Sequence, residues 1–273
     1  LTKKCVKNIK DAEVYPMGLQ HQMTINEVGA PVSKKRVCHD LSNDRRKGLS
    51  LNQRVIDEQI PGMMFGHIFN RFLHMIHHIR YFYPEERILL NKVDIEKAYR
   101  RLHVSGKTAA KYIATWVLDQ DKDSTGKQEE IAIALGRLPF GSKPAPAEFS
   151  NASDLTFDLA NDLMNCTLWD TETMPCPLKK DIPPPNRLSD SIPFGKAQCA
   201  DVHLSIDFKG GTDGYIDDGA NVVLDSSTNQ KMVTRAEQCI CMALHLQFFP
   251  NAGELEPIQR GEMASMHKLK AEA

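Results

Sequence analysis

The sequence predicts a mixed α+β fold whose chemistry lies at the ends of strands, and three observations lead there. Apolar residues spaced by three and four (Phe65, Ile68, Phe69, Phe72, Leu73, Ile76, Ile79) describe an amphipathic helix over 65–83. Short apolar runs at 88–93, 112–117 and 131–135 read as strands, the last two forming a hairpin across a polar loop. Finally, Tyr215-Ile216-Asp217-Asp218-Gly219 is flanked by strand-prone residues, and Asp218-Gly219 is a dipeptide favoured in two-residue hairpin turns. Two adjacent acids at a hairpin tip repel and push one pKa up. A divalent cation removes that penalty. In isolation such a stretch is equally a solvated turn, so its meaning depends on the rest of the chain.

The chain has 273 residues, 41% hydrophobic and 25% charged, which is ordinary globular composition and length enough for one large domain or two smaller ones. A net charge of -1 excludes a global basic field, yet residues 1–54 hold 11 Lys/Arg against 5 Asp/Glu. Seven cysteines, an odd number without repeated spacing, predict reduced thiols and an intracellular setting (cytoplasm or nucleus), not secretion. No apolar run reaches 18 residues, so no membrane partner is expected. The chain starts at Leu1 and stops in a charged run, and both ends read as cut from something longer.

Residues 1–30 show no usable period. A short strand-like piece follows, with Lys34-Lys35-Arg36 at its start; the triplet reads either as a phosphate grip or as a solvated charge run. His67, His74, His77 and His78 lie on the 65–83 helix, but no carboxylate on that segment completes a metal site, and they read as its polar flank. Asp94 ends a buried-looking strand, where folds that mix strands and helices open onto a cleft. Leu138-Pro139-Phe140-Gly141-Ser142-Lys143-Pro144 fixes a loop that opens a helix, with a predicted apolar face of Ala152, Leu155, Thr156, Leu159 and Leu163. Gly141 would let backbone approach a ligand. Residues 165–196 contain six prolines and read as a long surface insertion. Val202, Leu204, Ile206 and Phe208 alternate as a strand. A last amphipathic helix carries Met232, Ala236, Cys239, Ile240 and Ala243, capped by Ser226 or Ser227.

Three pieces occur in a fixed order: Val93-Asp94-Ile95-Glu96-Lys97-Ala98-Tyr99, the Pro139–Phe149 loop and helix start, and Tyr215-Ile216-Asp217-Asp218. Together they resemble the fingers and palm of reverse transcriptases, most closely those of gypsy-type retrotransposons and their tyrosine-recombinase relatives. The resemblance runs from about Lys34 to Leu246. It implies an antiparallel palm sheet packed on helices, with residues 1–92 as N-terminal segment and fingers and 93–110 as the first part of the palm. Residues 111–142 would be the fingers hairpin and loop, 143–249 the palm with its proline-rich insertion, and 250–273 the start of a truncated C-terminal region. The hydrophobic primer-gripping hairpin, the thumb and an RNase H domain are not found in the sequence, as expected of a fragment of a larger pol protein. Lys268 and Lys270 are weak candidates for protonating pyrophosphate.

The same resemblance assigns roles. Asp94 and Asp217 would be the principal ligands of two magnesium ions, for which manganese can substitute. Asp218 would be the lesser ligand, and the Ile95 carbonyl a further one. Hard cations of this kind take oxygen ligands. Tyr99 would pack under the incoming sugar and exclude a 2′-hydroxyl. Arg36, with Lys34 or Lys35, would hold the triphosphate. Pro139, Phe140, Gly141 and Ser142 would lie against the new base pair, and Tyr215 would brace the primer end. The implied activity is RNA-directed DNA polymerisation on a primed RNA or DNA template with deoxynucleotides. The alternatives are a truncated remnant that binds primer-template without catalysis, and an RNA-copying RNA polymerase, which Tyr99 disfavours.

Overall fold

The computed structural model describes residues 3–26, 28–44, 49–63, 67–95, 97–122, 128–172, 197, 200–248 and 266–272. The first elements in chain order are α1 (Lys3–Val6), β1 (Val14–Tyr15), β2 (Met17–Ile25), β3 (Pro31–His39), α2 (His67–Phe82) and β4 (Ile88–Ile95). They are followed by α3 (Gly106–Ala109), β5 (Ile113–Lys122), β6 (Gln128–Ala134), α4 (Ala145–Met164), β7 (Gly210–Tyr215), β8 (Asp218–Leu224), α5 (Ser227–Phe248) and β9 (Met266–Glu272). The chain is therefore α+β. It divides into two compact units, Leu1–Pro61 with Tyr99–Glu148, and Gly62–Ala98 with Phe149–Ala273.

These limits differ from the expected boundaries at 92/93 and 110/111. Met75 and Ile79 of α2 share a core with Ile88, Val222 and Leu224 of β4 and β8. Burial of that helix face carries residues 62–92 into the second unit, and the chain leaves it at 98/99.

In the first unit, β1 pairs parallel with β5, and β5 antiparallel with β6, so the hairpin predicted over 111–135 is present. β2 and β3 form a separate antiparallel ribbon from Met17↔His39 to Ile25↔Pro31. β2 was not expected: all but its first residue are exposed, so no alternation of apolar and polar residues is required. Two small cores hold the unit, one of Val6, Ile113 and Ala132, the other of Tyr15, Leu41 and Tyr112. Beside the second core Glu13 accepts from Tyr15 Oη at 2.6 Å, from Lys111 Nζ at 2.7 Å and from the Arg54 guanidinium. Burial raises its pKa, but those hydrogen bonds outweigh burial and hold it at about 2.

In the second unit the strand order is β7-β8-β4-β9, all antiparallel. The face bearing Ile88, Leu90, Val222 and Leu224 takes α2. The opposite face takes Phe157 of α4, packed on Gly214 and Gly219, and Glu237 of α5, bonded to Asn91. Helix α4 buries Ser153, Thr156, Phe157, Ala160 and Met164, whereas Leu155 and Leu159 of the expected face are exposed. Both stripes have helical spacing; the larger Phe157 side chain claims the sheet. Residues 200–208 are turns and not the expected strand, with Val202 and Ile206 exposed. Asp201 and Ser205 accept hydrogen bonds from the backbone N–H two residues on, which bends the chain there. Ser226 Oγ caps α5, accepting from Asn229 N–H at 3.1 Å, as expected.

The histidines are not simply a polar flank. His78 is buried, its Nε2 2.8 Å from the Ser205 carbonyl, and His74 pairs with Asp201 at 2.8 Å. Cys38, Cys166 and Cys239 are free thiols, and burial pushes Cys239 up to about 11. Phe65, Glu96, most of the proline-rich insertion (173–196, apart from Ala197 beyond it) and residues 249–265 lie outside the described residues. Lys268 and Lys270 belong to β9, with side chains outside the described set. Among the described residues no helix is long and apolar enough to cross a membrane.

Candidate active site

The acid hairpin turns two residues earlier than the sequence suggests. Tyr215 pairs with Asp218, which leaves Ile216 and Asp217 as the two turn residues. Ile216 takes φ +56°, the left-handed region a primed hairpin turn requires and a β-branched residue resists. Gly219 is not a turn residue; it lies within β8, opposite Gly214 on one side and Val93 on the other. A Cβ at Gly219 would sit 2.4 Å from Phe157 Cε1, and one at Gly214 1.8 Å from Phe157 Cδ2. The two glycines form a slot for a ring.

Seated this way, the hairpin aligns with β4 so that Asp94 lies directly opposite Asp218. The Ile95 N–H donates to the Asp217 carbonyl at 2.8 Å, which fastens the turn to the end of β4. Three acids from two segments 123 positions apart (Asp94 to Asp217) are thereby neighbours. Their charges are felt: burial raises the Asp94 pKa, Asp217 and Asp218 raise it further, and only Lys92 opposes them. Lys92 Nζ is 2.8 Å from Asp218 Oδ1, and that bond in turn raises the lysine's pKa. The register gives Asp218, expected as the lesser acid, the position facing Asp94.

Among the described residues no three His, Cys, Asp or Glu side chains form a ready-made cluster around one cation position. The donor set is nonetheless the kind a hard divalent ion takes: oxygen only, crowded, and with one carboxyl already disfavoured as an anion by its neighbours. Asp94, Asp217 and Asp218 are the residues that would hold it. On the same side of the sheet, Lys92, Tyr215, Asp218 and Ala220 line a cleft of about 480 Å³ with Phe69 and Phe72 of α2. At its rim Arg71 Nε is 2.7 Å from Asp213 Oδ2.

The remaining candidates lie in the first unit. Tyr99 and Phe140 pack ring against ring, centroids 5.0 Å apart and planes tilted by 58°. Gly141 has φ +98°, and a Cβ there would lie 2.2 Å from the His39 carbonyl oxygen. The close approach it permits is thus to the protein's own β3. Asn52 binds both edges of the loop, donating to the Gly141 carbonyl at 2.7 Å and accepting from Lys143 N–H at 2.9 Å. Ser142 is buried against Tyr112, their hydroxyls 3.0 Å apart, so its side chain is structural. Pro139, Phe140, Met17, Val37, His39, Trp116 and Arg100 line a cavity of about 470 Å³. Strand alternation puts Lys35 on the Val37/His39 face of β3 and Lys34 and Arg36 on the other, so the three cations do not act from one face. All three are exposed.

Lys92, Asn52 and Phe157 were missed by sequence reasoning. Lys92 had a signal, since a residue two before Asp94 on a strand shares its face. Asn52 had none, and Phe157 was masked by the neighbouring leucines of α4. No family model and no curated protein sequence matches this chain.

Proposed function

We propose that this chain carries the fingers and palm of a retroelement-type RNA-directed DNA polymerase, which adds deoxynucleotides to a primer 3′ end. The observation that carries the reading is the register pairing of Asp94 with Asp218, with Asp217 in the adjoining turn and all three charges coupled. Nothing in a merely solvated turn calls for acids on two segments so far apart in sequence to be matched in this way.

In this reading the primer 3′-oxygen attacks the α-phosphate of a deoxynucleoside triphosphate and pyrophosphate leaves. Bound divalent ions supply activation of the attacking oxygen and charge neutralisation at the leaving group. Asp94, Asp217 and Asp218 hold them, and Lys92 keeps the Asp218 carboxylate oriented from the same face. Tyr99, braced by Phe140, supplies the ring that excludes a 2′-hydroxyl. Arg36, with Lys34 on the same face of the β2–β3 ribbon, holds the triphosphate by charge-assisted hydrogen bonds.

The test is magnesium-dependent extension of a DNA primer on an RNA template, comparing the wild-type chain with Asp217→Asn and Asp94→Asn. Loss of incorporation in both variants with primer-template binding retained supports the reading. Full activity in either variant overturns it. Wild-type binding without incorporation at any magnesium concentration favours the binding-only remnant, and preference for ribonucleotides overturns the role given to Tyr99.

A further inference from the structure

The face of the sheet opposite the acids carries a row of buried polar side chains that the proposed reaction does not use. Thr212, Asn221 and Asn91 are register neighbours on β7, β8 and β4. Asn221 is 1% exposed and Asn91 3%. Asn91 Nδ2 donates at 2.8 Å to Glu237 Oε1 of α5, and Glu237 is 0% exposed. Asn91 Oδ1 and both amide atoms of Asn221 find no hydrogen-bond partner among the described residues. The residues on either side of this row, Leu89 and Val93 on β4 and Val223 on β8, are apolar and buried.

A row of amides in such a surface costs stability, because each buried polar group left unsatisfied is penalised by about 1–3 kcal/mol. Valines would fit a pleated sheet at no such cost. What the amides add is discrimination between registers. A slip of one residue would exchange the two covered faces of β4 and turn Lys92 and Asp94 onto the one packed against α4 and α5, so the cost of burying those charges forbids it. A slip of two keeps the faces correct but sets Leu89 or Val93 against the Asn221 amide. It would also bring Asn91 opposite Gly219 or Val223 and leave its amide facing no polar group. Only the observed register puts amide against amide while Asn91 stays within reach of Glu237.

That register is also the one that opposes Asp94 to Asp218, three positions further along β4, about 10 Å away at strand rise. We infer that Asn91, Asn221 and Glu237 form a register lock, a set of positioning residues that holds the two acid-bearing segments in alignment and anchors them to α5. The lock trades stability for specificity, as single buried polar residues do in coiled-coil interfaces. The part of the inference that concerns cation binding rests on the proposed role of the acids; the part that concerns register does not.

The experiment pairs a register readout with a metal readout. Amide hydrogen exchange over 88–95 and 218–224, including the Ile95 N–H bonded to Asp217, reports the alignment without metal or substrate. Mn²⁺ titration by electron paramagnetic resonance reports the acids. In Asn91→Val/Asn221→Val, exchange in these two segments should be about tenfold faster while the melting temperature holds or rises. Mn²⁺ affinity should fall by about tenfold, as when a supporting residue behind a metal ligand is lost. Glu237→Gln, which keeps an acceptor for the Asn91 amide, should behave as wild type, and Glu237→Leu, which leaves that amide unpaired, should reproduce the faster exchange and the weaker Mn²⁺ binding with a lower melting temperature. Unchanged exchange at Ile95 in both the double variant and Glu237→Leu overturns the lock. Should the double variant fail to fold, the Glu237→Gln and Glu237→Leu pair decides alone. Absence of Mn²⁺ binding in the wild-type chain would instead overturn the role of the acids and leave the exchange result standing.

Discussion

Gly219 offers the sharpest test of how the acid hairpin is held. If it were a turn glycine needing positive φ, asparagine would be accepted there at little cost. Its position inside β8 predicts otherwise, because its backbone conformation is ordinary and the constraint is the Phe157 ring. An alanine Cβ would lie 2.4 Å from Cε1 and 2.9 Å from Cζ, so the ring must shift within a core where Phe157 is 2% exposed. Overpacking of this kind costs about 1–3 kcal/mol. The loss of unfolded-chain entropy on replacing glycine returns about 0.4–1 kcal/mol, so Gly219→Ala should destabilise by about 1–2 kcal/mol net and Gly219→Asn by at least as much. Phe157→Leu removes the colliding edge, and in that background Gly219→Ala should be nearly neutral. The double-mutant cycle, measured by urea denaturation with far-UV circular dichroism, should therefore show a coupling of about 1–2 kcal/mol. A cycle additive to within about 0.5 kcal/mol, or a stable Gly219→Asn protein, would refute the slot.

Three further outcomes follow from the same geometry. Ile216→Gly should raise the melting temperature, since a left-handed β-branched residue stores about 1–2 kcal/mol and glycine releases it against a smaller entropy cost; an unchanged or lower melting point counts against the turn assignment. Glu13 is held at about 2 against an ordinary 4.5, so its contribution is complete above pH 4.5 and is lost as pH falls toward 2. With screening at the partly exposed Arg54, that contribution is about 1–2 kcal/mol, and a stability profile of Glu13→Gln should converge on wild type in acid. Asp94 has the opposite sign. Its raised pKa means the native state holds a proton better than the unfolded one, so stability from this group is complete below pH 3.8 and lost as pH rises through the native value. Asp94→Asn should accordingly be more stable than wild type at pH 7. Magnesium at a hundred times its Kd should stabilise wild type by about 2.7 kcal/mol and the variant far less, which calorimetric melts with and without the ion would read.

The contrast between what the sequence disclosed and what it concealed has a physical pattern. Elements that bury apolar residues were legible: α2, β4, β5, β6 and α5 carry apolar runs or periods, and Ser226 announces its cap. β2 was not, because a ribbon exposed on both faces imposes none. The acids were legible as types and as ends of segments, yet their pairing was not, since register is decided by partners distant in sequence. The turn was misplaced by two residues for the same reason. Asp218-Gly219 satisfies the local preference for a hairpin, but Gly219 is required by Phe157, more than sixty positions earlier, and the strained Ile216 takes the turn in its stead. A local signal gave way to a long-range packing demand, and the cost was accepted at the one place where a rigid tip sets the spacing of three carboxylates. Strain of this kind persists only where surrounding structure over-determines it. Here the determinants are the Gly214–Gly219 slot on one face, the Ile95–Asp217 hydrogen bond at the edge, and the Asn91–Asn221 row behind. If those three act together, relaxing Ile216 alone should stabilise the fold without moving Asp94 from its place opposite Asp218, whereas filling the slot should disturb both.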